Sequence, residues 1–371
     1  MARKMADGPS AGTGRCGCAA DGPAHLAQTG RGTAFPPPGC AQRTQAHSYA
    51  PARLEGRRMS ACLVCGSPRT ASLFRASDRL YHTTAEEFEV VRCGECGLVR
   101  LEPQPAADQL PRYYPRGYWY APQGSAAGHL EETYRRFVLH DHVRFVVRAL
   151  RETGGGPLLD VGCGGGLFLG LLRKQGFGVV GLDVSHEAAR VAWKQQQAPA
   201  LCGSLETAPL RAGSFACITM FHVLEHLPDP RRYLAAARDL LSADGRLIVQ
   251  VPNADSWQFR LLGRSWNGVD VPRHLYDFRG RDLERLLVSV GFEVVRRKYF
   301  SLRDNPAGLA SSMAPALDPM ARRVRGVRES GIARIAKDLM YFALVLGALP
   351  FTVAEAACHS GSTVMIESRK R

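Results

Sequence analysis

The sequence has no apolar run of the ~20 residues that a bilayer-spanning helix needs. An uncharged stretch late in the chain, residues 339–354, has 16 residues and is interrupted by Pro350. The amino-terminal region also has no continuous apolar segment of the kind that forms a secretory signal. Together with cysteines scattered as free thiols, these absences predict a cytoplasmic protein.

Aromatic residues are also scarce, at 8% of the chain, and they are not interleaved with basic residues as in RNA-binding surfaces. This matters because the formal net charge is +14. Residues 1–58 hold eight Lys/Arg against three Asp/Glu, and residues 296–371 hold thirteen against six, so the middle of the chain is nearly neutral. We expect solvated basic flanks and no nucleic-acid partner.

A glycine-rich motif is the most informative feature that is present. Residues 158–166 read LLDVGCGGG, in which a predicted buried strand ends near Asp160 and three alternate glycines open a helix. Glycines let the backbone approach a ligand at the carboxyl end of a strand, where open α/β sheets bind ligands. The spacing is D-x-G-x-G-x-G rather than the dinucleotide fingerprint G-x-G-x-x-G. A purely structural turn is the alternative for this motif alone.

The segments that follow alternate between strand and helix patterns. GFGVVGLDVS from Gly176 predicts a strand ending in Asp183, whose carboxylate could accept both hydroxyl protons of a ribose. Residues 213–220 predict a buried strand, residues 231–241 a helix, and residues 246–251 a further strand after a turn at Asp244-Gly245. This alternation predicts a doubly wound α/β sheet.

From Leu158 to about Glu293 the order of these elements resembles class I S-adenosylmethionine-dependent methyltransferases. The resemblance includes EHL-D-P at 225–230, GFEVV at 291–295 and W-D-PRHLYDF at 266–278. It implies a Rossmann-like sheet of seven strands and methyl transfer to a small-molecule or saccharide acceptor. The residues that it places at the cofactor are Asp160, Gly162, Cys163, Gly164, Gly166, Asp183, Val184, Ser204, Leu205 and Phe221.

Three histidines are candidates for a catalytic base, which an alcohol or carbon acid would need: His222, His226 and His274. His222, Glu225 and His226 would fall on one face of a helix and could hold a divalent metal. Some small-molecule O-methyltransferases hold a metal with an E-x-x-E-H pattern, but here His222 replaces the first glutamate. A purely structural role for the motif is the third possibility.

Four cysteines form two C-x-x-C pairs, each followed by a glycine that lets the turn fold back. The residues are Cys62, Cys65, Cys93 and Cys96. Four thiolates in this arrangement predict a closed, tetrahedral structural zinc site. Two independent redox pairs are the alternative, but the thioredoxin-like setting is missing.

This cysteine module, with the aromatics Tyr113, Tyr114 and Tyr118-Trp119-Tyr120 behind it, resembles the zinc-binding module that precedes the catalytic domain of sugar C-methyltransferases. In that family the module helps to cover the substrate. The aromatics could stack on a sugar or serve as a packing hinge, and packing is the commoner role. The spacing from Leu130 to Arg151 predicts a helix leading into the sheet.

The segments predicted from these patterns are an extension at 1–58, a zinc module at 59–105, a linker and helix at 106–151, a methyltransferase core at 152–300 and a basic, apolar insert at 301–371. The extension could be disordered or non-native, since a purine-rich codon pair for Glu55-Gly56 precedes Met59. Within the insert, residues 322–354 could form a lid or packed helix, which we favour, or a surface lying on a membrane. Residues 362–368 predict a strand antiparallel to residues 292–300.

These features leave three functional hypotheses. The leading one is a zinc-containing methyltransferase that acts on a saccharide or other small metabolite. The second is an O-methyltransferase for quinones or phenols that uses a divalent metal. The third is a zinc-stabilised binding protein with a degenerate fold, which the intact glycines and Asp183 oppose. The sequence does not indicate the oligomeric state.

Overall fold

A computed structural model describes residues 61–115 and 126–371. The predicted extension at 1–58 and the aromatics Tyr118, Trp119 and Tyr120 lie outside the described residues. The strands are β1 Thr70–Ala76, β2 Phe88–Cys93, β3 Val99–Leu101, β4 Leu158–Val161, β5 Val179–Asp183, β6 Ala200–Cys202, β7 Phe215–Phe221, β8 Leu241–Pro252, β9 Tyr276–Asp277, β10 Phe292–Lys298 and β11 Thr363–Lys370. The α-helices are α1 Ala126–Val138, α2 His140–Glu152, α3 Leu167–Arg173, α4 His186–Gln196, α5 Pro230–Leu240, α6 Trp257–Leu262, α7 Gly280–Ser289, α8 Asn305–Met313, α9 Pro319–Val324 and α10 Gly331–Ala357.

The central sheet has seven strands in the order β10-β11-β8-β7-β4-β5-β6. Strands β4 to β8 run parallel, and β11 inserts antiparallel between β8 and β10. The central strands are buried along nearly their whole length because helices cover both faces of such sheets. The predicted seven-stranded α/β fold and the antiparallel return of the last strand are confirmed.

A second sheet, β1-β2-β3-β9, joins the cysteine module to the rest of the chain. Its fourth strand, β9, belongs to the 266–278 segment and pairs antiparallel with β3. Val90 and Leu98 of the module are fully buried and share one apolar core with Ile218 and Leu247 of the central sheet. The module therefore has no core of its own, because so small a sheet buries too little apolar surface alone.

Two predicted elements have different bounds. The helix predicted from Leu130 to Arg151 is two helices, α1 and α2, which meet at a turn at Leu139, where Val138 and Leu139 are both buried. The turn predicted at Asp244-Gly245 is a bulge inside β8. Leu241 pairs with Phe215 but Arg246 pairs with Cys217, so residues 242–245 loop out of the ladder.

The insert after β10 folds as α8, α9 and α10 before the chain returns as β11. Among the described residues, α10 is the one helix that is both long enough and apolar enough to cross a membrane, judged by length and composition alone. Most of it is exposed. It ends where β11 begins, opposite the carboxyl end of β8, since Thr363 pairs with Pro252. The insert therefore packs beside the edge of the sheet where the functional residues gather.

Candidate active site

The glycine motif forms the tight passage from β4 to α3. Gly162, Gly164 and Gly166 have φ values of 73°, 51° and 74°, in the left-handed region that favours glycine. A β-carbon on Gly162 would lie 2.6 Å from Val223, and one on Gly166 would lie 2.7 Å from Ala192. Packing therefore requires glycine at both positions. A β-carbon on Gly164 would have nothing within 4 Å. Gly164 is thus the position where bare backbone faces open space.

The Asp183 carboxylate holds this loop from the end of β5. One oxygen accepts the N–H of Gly164 at 2.9 Å, and the other accepts the N–H of Ser185 at 2.8 Å. Burial raises the pKa of Asp183, although these two N–H donors oppose the shift. Each oxygen keeps a lone pair for a further donor. Val184, the next residue, is 69% exposed, which is unusual for an apolar side chain at a sheet edge.

Asp160 and Cys163 are less accessible than their position suggests. The Asp160 carboxylate is buried and accepts the Thr219 hydroxyl at 2.6 Å. Burial and nearby Asp183 raise the pKa of Asp160 to about 7. The Cys163 side chain is also buried, and a β-carbon on Gly181 would lie 2.7 Å from its sulfur. Both side chains therefore brace the loop from below.

The remaining predicted cofactor residues follow the next two strands. Ser204 and Leu205 come after β6, with Leu205 buried and the Ser204 hydroxyl 3.1 Å from that of Thr207. Phe221 ends β7 and packs edge-on against Phe168, with ring centroids 5.2 Å apart. All ten predicted residues thus gather along the carboxyl edge of β4 to β7.

His222 adopts a left-handed backbone conformation, with φ of 57°, directly after β7. The predicted helical face for His222, Glu225 and His226 is wrong, because residues 224–226 form only a single 3₁₀ turn. The His222 ring lies 3.1 Å from a Glu225 oxygen and 3.5 Å from Asp304. Burial alone would lower its pKa, but these two carboxylates raise the pKa of His222 to about 9. His222 is therefore cationic near neutral pH, when it cannot accept a proton.

The structure instead brings His226 and His274 together with Glu225. Their possible ligand atoms all lie within 4.8 Å of one another, and the two rings are 4.6 Å apart. His274 donates from Nδ1 to the Gly268 carbonyl at 2.7 Å, and His226 Nδ1 lies 3.0 Å from the Arg273 carbonyl. A carbonyl only accepts, so Nε2 of each neutral ring keeps its lone pair.

The pKa values of Glu225 and His226 are both lowered in this cluster, by different causes. Burial and nearby His274 lower the pKa of His226 to about 4. Although burial acts in the opposite direction, His222, His226 and His274 lower the pKa of Glu225. Glu225 is fully buried, and its Oε2 has no hydrogen-bond partner among the described residues. The cluster is thus a buried carboxylate beside two imidazoles, with an unsatisfied oxygen.

The segment that carries His274 is held in place by the cysteine module. Arg273 is fully buried and makes a two-pronged ion pair with Asp78 of the module, at 2.8 and 2.9 Å. It also pairs with Asp270 and donates to the Tyr113 carbonyl at 3.0 Å. The Tyr114 hydroxyl lies 3.0 Å from Nδ1 of His226. The linker behind the module therefore contributes directly to the site.

Sequence reasoning missed Asp78, Arg273 and Asp304. Arg273 adjoins His274 in a motif that could have indicated it, but nothing in the sequence links Asp78 to residues almost 200 positions away. Asp304 lies in the insert, just before α8, and accepts from the Gln250 amide at 2.7 Å as well as facing His222. Only the tertiary structure brings these residues to the site.

The four predicted cysteines converge. Cys62 and Cys96 have their sulfurs 3.5 Å apart, as do Cys65 and Cys93, and all four sulfurs lie within 4.8 Å. Tetrahedral thiolates at ~2.3 Å from one zinc ion would be separated by a little under ~4 Å, so the donor set fits zinc. Gly66 and Gly97 have φ of 74° and 81°, which confirms the predicted folding back of each turn.

Arg279 links this cluster to the rest of the protein. Its guanidinium donates to the Cys96 carbonyl and forms an ion pair with Asp282 at 2.7 Å. A β-carbon on Gly97 would lie 2.5 Å from the guanidinium, so the contact requires glycine there. Because only four residues separate His274 from Arg279, one short segment connects the histidine cluster to the cysteine cluster.

Comparisons with known proteins identify the core. A methyltransferase domain model matches residues 131–297. The ubiquinone biosynthesis O-methyltransferase of Xanthomonas axonopodis pv. citri is 35% identical over 160 residues, covering 40% of this chain and 67% of that protein. The enzyme of the same name from Cronobacter sakazakii is 29% identical over 180 residues, covering 44% of this chain and 72% of that protein.

An uncharacterized 37.1 kDa protein in a transposon of Streptomyces fradiae is 35% identical over 163 residues. That match covers 39% of this chain, which spans about half, 46%, of the transposon protein's length. With the glycine loop and the seven-stranded sheet described above, these relatives establish the family. The chain belongs to the class I S-adenosylmethionine-dependent methyltransferases and is an enzyme of that family.

Proposed function

We propose that this enzyme methylates a small molecule whose acceptor atom loses a proton, such as a hydroxyl or carbon acid of a saccharide or related metabolite, with His274 as the base. The observation that carries the proposal is the 2.7 Å bond from His274 Nδ1 to the Gly268 carbonyl. This bond leaves Nε2 of the His274 ring outside the contact with the carbonyl, and the ring lies against His226 in a cluster with Glu225. An imidazole that is held in one orientation in this way is suited to general-base work.

The glycine loop and the ends of β5 and β6 would hold S-adenosylmethionine. Gly164 offers bare backbone, Asp183 offers spare lone pairs for ribose hydroxyls, and exposed Val184 offers an apolar surface for the adenine. When bound, the cofactor supplies a methyl group that its sulfonium already activates. The task left to the chain is to orient the acceptor, exclude water and take the proton.

We further propose that Cys62, Cys65, Cys93 and Cys96 hold one structural zinc ion. The supporting observation is the convergence of four sulfurs on one point. Metal analysis of protein purified without chelators should give one zinc per chain. Zinc well below that stoichiometry would contradict the proposal.

A second candidate function is metal-assisted O-methylation of a quinone or phenol. It is favoured by Glu225, whose buried Oε2 has no partner among the described residues and faces His226 and His274. With both Nδ1 atoms directed at carbonyls, the two Nε2 atoms are oriented as in metal sites with a supporting second shell. Two relatives are named as ubiquinone biosynthesis O-methyltransferases, which favours an acceptor from a quinone pathway.

One experiment separates the two candidates. The enzyme would be incubated with labelled cofactor and fractions of either nucleotide sugars or phenolic and quinone compounds, with and without added Mg²⁺ or Mn²⁺. The leading proposal predicts labelling of a sugar fraction that is indifferent to the added ions. Labelling of a phenol that depends on the ions, and that Glu225→Gln abolishes, would support the second candidate instead.

A further inference from the structure

The long helix α10 exposes a continuous apolar stripe. Six of its seven exposed large apolar residues recur at spacings of three, four or seven positions, so these six share one face of the helix. Their exposed fractions run from 44% to 84%, and no charged residue follows Lys337 and Asp338 until Glu355. The stripe consists of Ile332, Ile335, Leu339, Phe342, Leu346 and Val353.

The opposite face of α10 is firmly packed, so the stripe has a fixed outward direction. Val345, Thr352 and Glu355 are buried, and the Glu355 carboxylate accepts the backbone N–H of Gln258 at 2.9 Å and its side-chain amide at 3.0 Å. The Tyr341 hydroxyl lies 2.8 Å from that of Ser311 on α8. Monomeric soluble proteins rarely expose apolar patches of this extent without a partner.

The charge next to the stripe favours one kind of partner. Residues 322–338 hold six basic and two acidic residues, a net charge of +4. Arg322 and Lys337 are paired with Glu329, but Arg328 and Arg334 are exposed. An apolar helix face next to basic side chains is the arrangement that lies in the interface of an anionic bilayer.

The position of the helix argues against a span. Thr363, six residues after the end of α10, already pairs with Pro252 in the central sheet. If α10 crossed a bilayer, its carboxyl end would have to move away from the protein, and the buried Glu355 would lose its bonds to Gln258. The helix can instead lie flat on a membrane with its packed face still on the protein.

We propose that the α10 stripe docks this enzyme on the surface of an anionic lipid bilayer, with Arg328, just before the helix, at the headgroups. Docking would bring the proposed acceptor-binding side of the active site close to the lipid. The reason is that α8 packs on α10 and directly follows Asp304, which faces His222. The Phe342 ring also packs edge-on against Tyr134, with centroids 6.0 Å apart. The proposal does not depend on which acceptor the enzyme methylates.

Vesicle flotation tests the proposal with the full-length protein. Wild type should float with vesicles of mixed phosphatidylcholine and phosphatidylglycerol, and much less with pure phosphatidylcholine. A Leu339→Glu/Leu346→Glu variant should bind the anionic vesicles about tenfold more weakly or worse, because it places charges where apolar side chains would enter the bilayer. Val288→Glu, a change at an exposed apolar residue of α7, is the matched control and should bind like wild type.

Two further readouts keep the outcome clear. Cofactor affinity by calorimetry should be the same in all variants, which shows that they are folded. Arg328→Gln should weaken only the binding to anionic vesicles. Wild type that fails to float, or a double glutamate variant that floats like the control, would overturn the proposal. Wild type that is dimeric by light scattering and becomes monomeric in the glutamate variant, with no vesicle binding, would assign the stripe to a second copy instead.

Discussion

The two halves of the active site are built in different ways. The half that we propose to bind the cofactor, the cofactor half, runs from Asp160 to Phe221, and its residues follow the ends of consecutive strands. The half that we propose to bind the acceptor, the acceptor half, combines residues that are far apart in the chain: Asp78, Tyr114, Glu225, His274 and Asp304. A parallel sheet brings its strand ends to one edge by topology, whereas the acceptor half depends on packing between the module, the 266–278 segment and the insert. The first half could therefore be predicted from the sequence, whereas for the second half the sequence indicated Glu225 and His274 but not the residues that surround them.

The largest expected effect comes from breaking the ion pair that holds the acceptor half together. Arg273→Leu would leave Asp78 and Asp270 buried without their cation, which costs about 3–5 kcal/mol of unfolding free energy. Denaturant unfolding measures it. The control is Arg281→Leu, which removes an exposed contact with Asp255 and should cost no more than ~1 kcal/mol. Similar small losses for both variants would contradict the role given to Arg273.

The same ion pair predicts that the free energy of unfolding falls at acid pH, which gives the stability profile an acid limb. Despite the opposing effect of burial, Arg273 holds the pKa of Asp78 well below its usual range. The stabilisation is therefore present above the unfolded pKa of ~3.9 and is lost as the pH falls through the lower folded value. Arg273→Leu should flatten this part of the stability profile, and an unchanged acid limb would count against the pair.

The next largest effect is expected from replacing His274, the proposed base. His274→Asn should keep the fold and cofactor affinity but lower turnover by ~100-fold or more. His140→Asn, on an exposed part of α2, is the control and should leave turnover unchanged. Unchanged turnover in His274→Asn would move the assignment to His226, since His222 is cationic. A parallel loss of turnover and thermal stability would mark His274 as structural.

Removing zinc should affect the two halves unequally. Cys93→Ser should release the metal and lower turnover by about tenfold or more, because the 273–279 segment connects the cysteine cluster to His274. Cofactor affinity should stay close to that of wild type, since the glycine loop lies at the other half. Cys358→Ser, at an exposed cysteine outside the cluster, is the control. An equal loss of cofactor affinity and turnover would show that the halves are not separable.

The remaining effect is expected at the cofactor half, where it falls on binding and not on turnover. Asp183→Ala removes the acceptor of the Gly164 N–H and the proposed ribose contacts, each worth ~1.5–3 kcal/mol for a charged group, so affinity for the cofactor should fall more than tenfold. Calorimetric titration measures this loss, with exposed Asp244→Ala as the control. Affinity within twofold of wild type would remove Asp183 from the cofactor site.

The sequence predicted the sheet, its last strand, the cysteine cluster and the set of candidate residues at the strand ends, because short-range patterns determine these features. The glycines could be read since their left-handed φ values are a local requirement. The short 3₁₀ turn at 224–226 and the shared core of the module could not be read, because both follow from tertiary packing. Asp304 gave no signal for the same reason: it reaches His222 only when the insert has packed against α2 and β8.

Transfer of a labelled methyl group tests the central claim most directly. Wild type, Asp183→Ala and His274→Asn would be incubated with methyl-labelled S-adenosylmethionine and a metabolite extract, and the labelled product isolated. The account predicts one small-molecule product with wild type, a product restored in Asp183→Ala by raising the cofactor concentration, and a loss in His274→Asn that no cofactor concentration restores. Labelling by His274→Asn at the wild-type rate, or no labelled product from any extract, would contradict it.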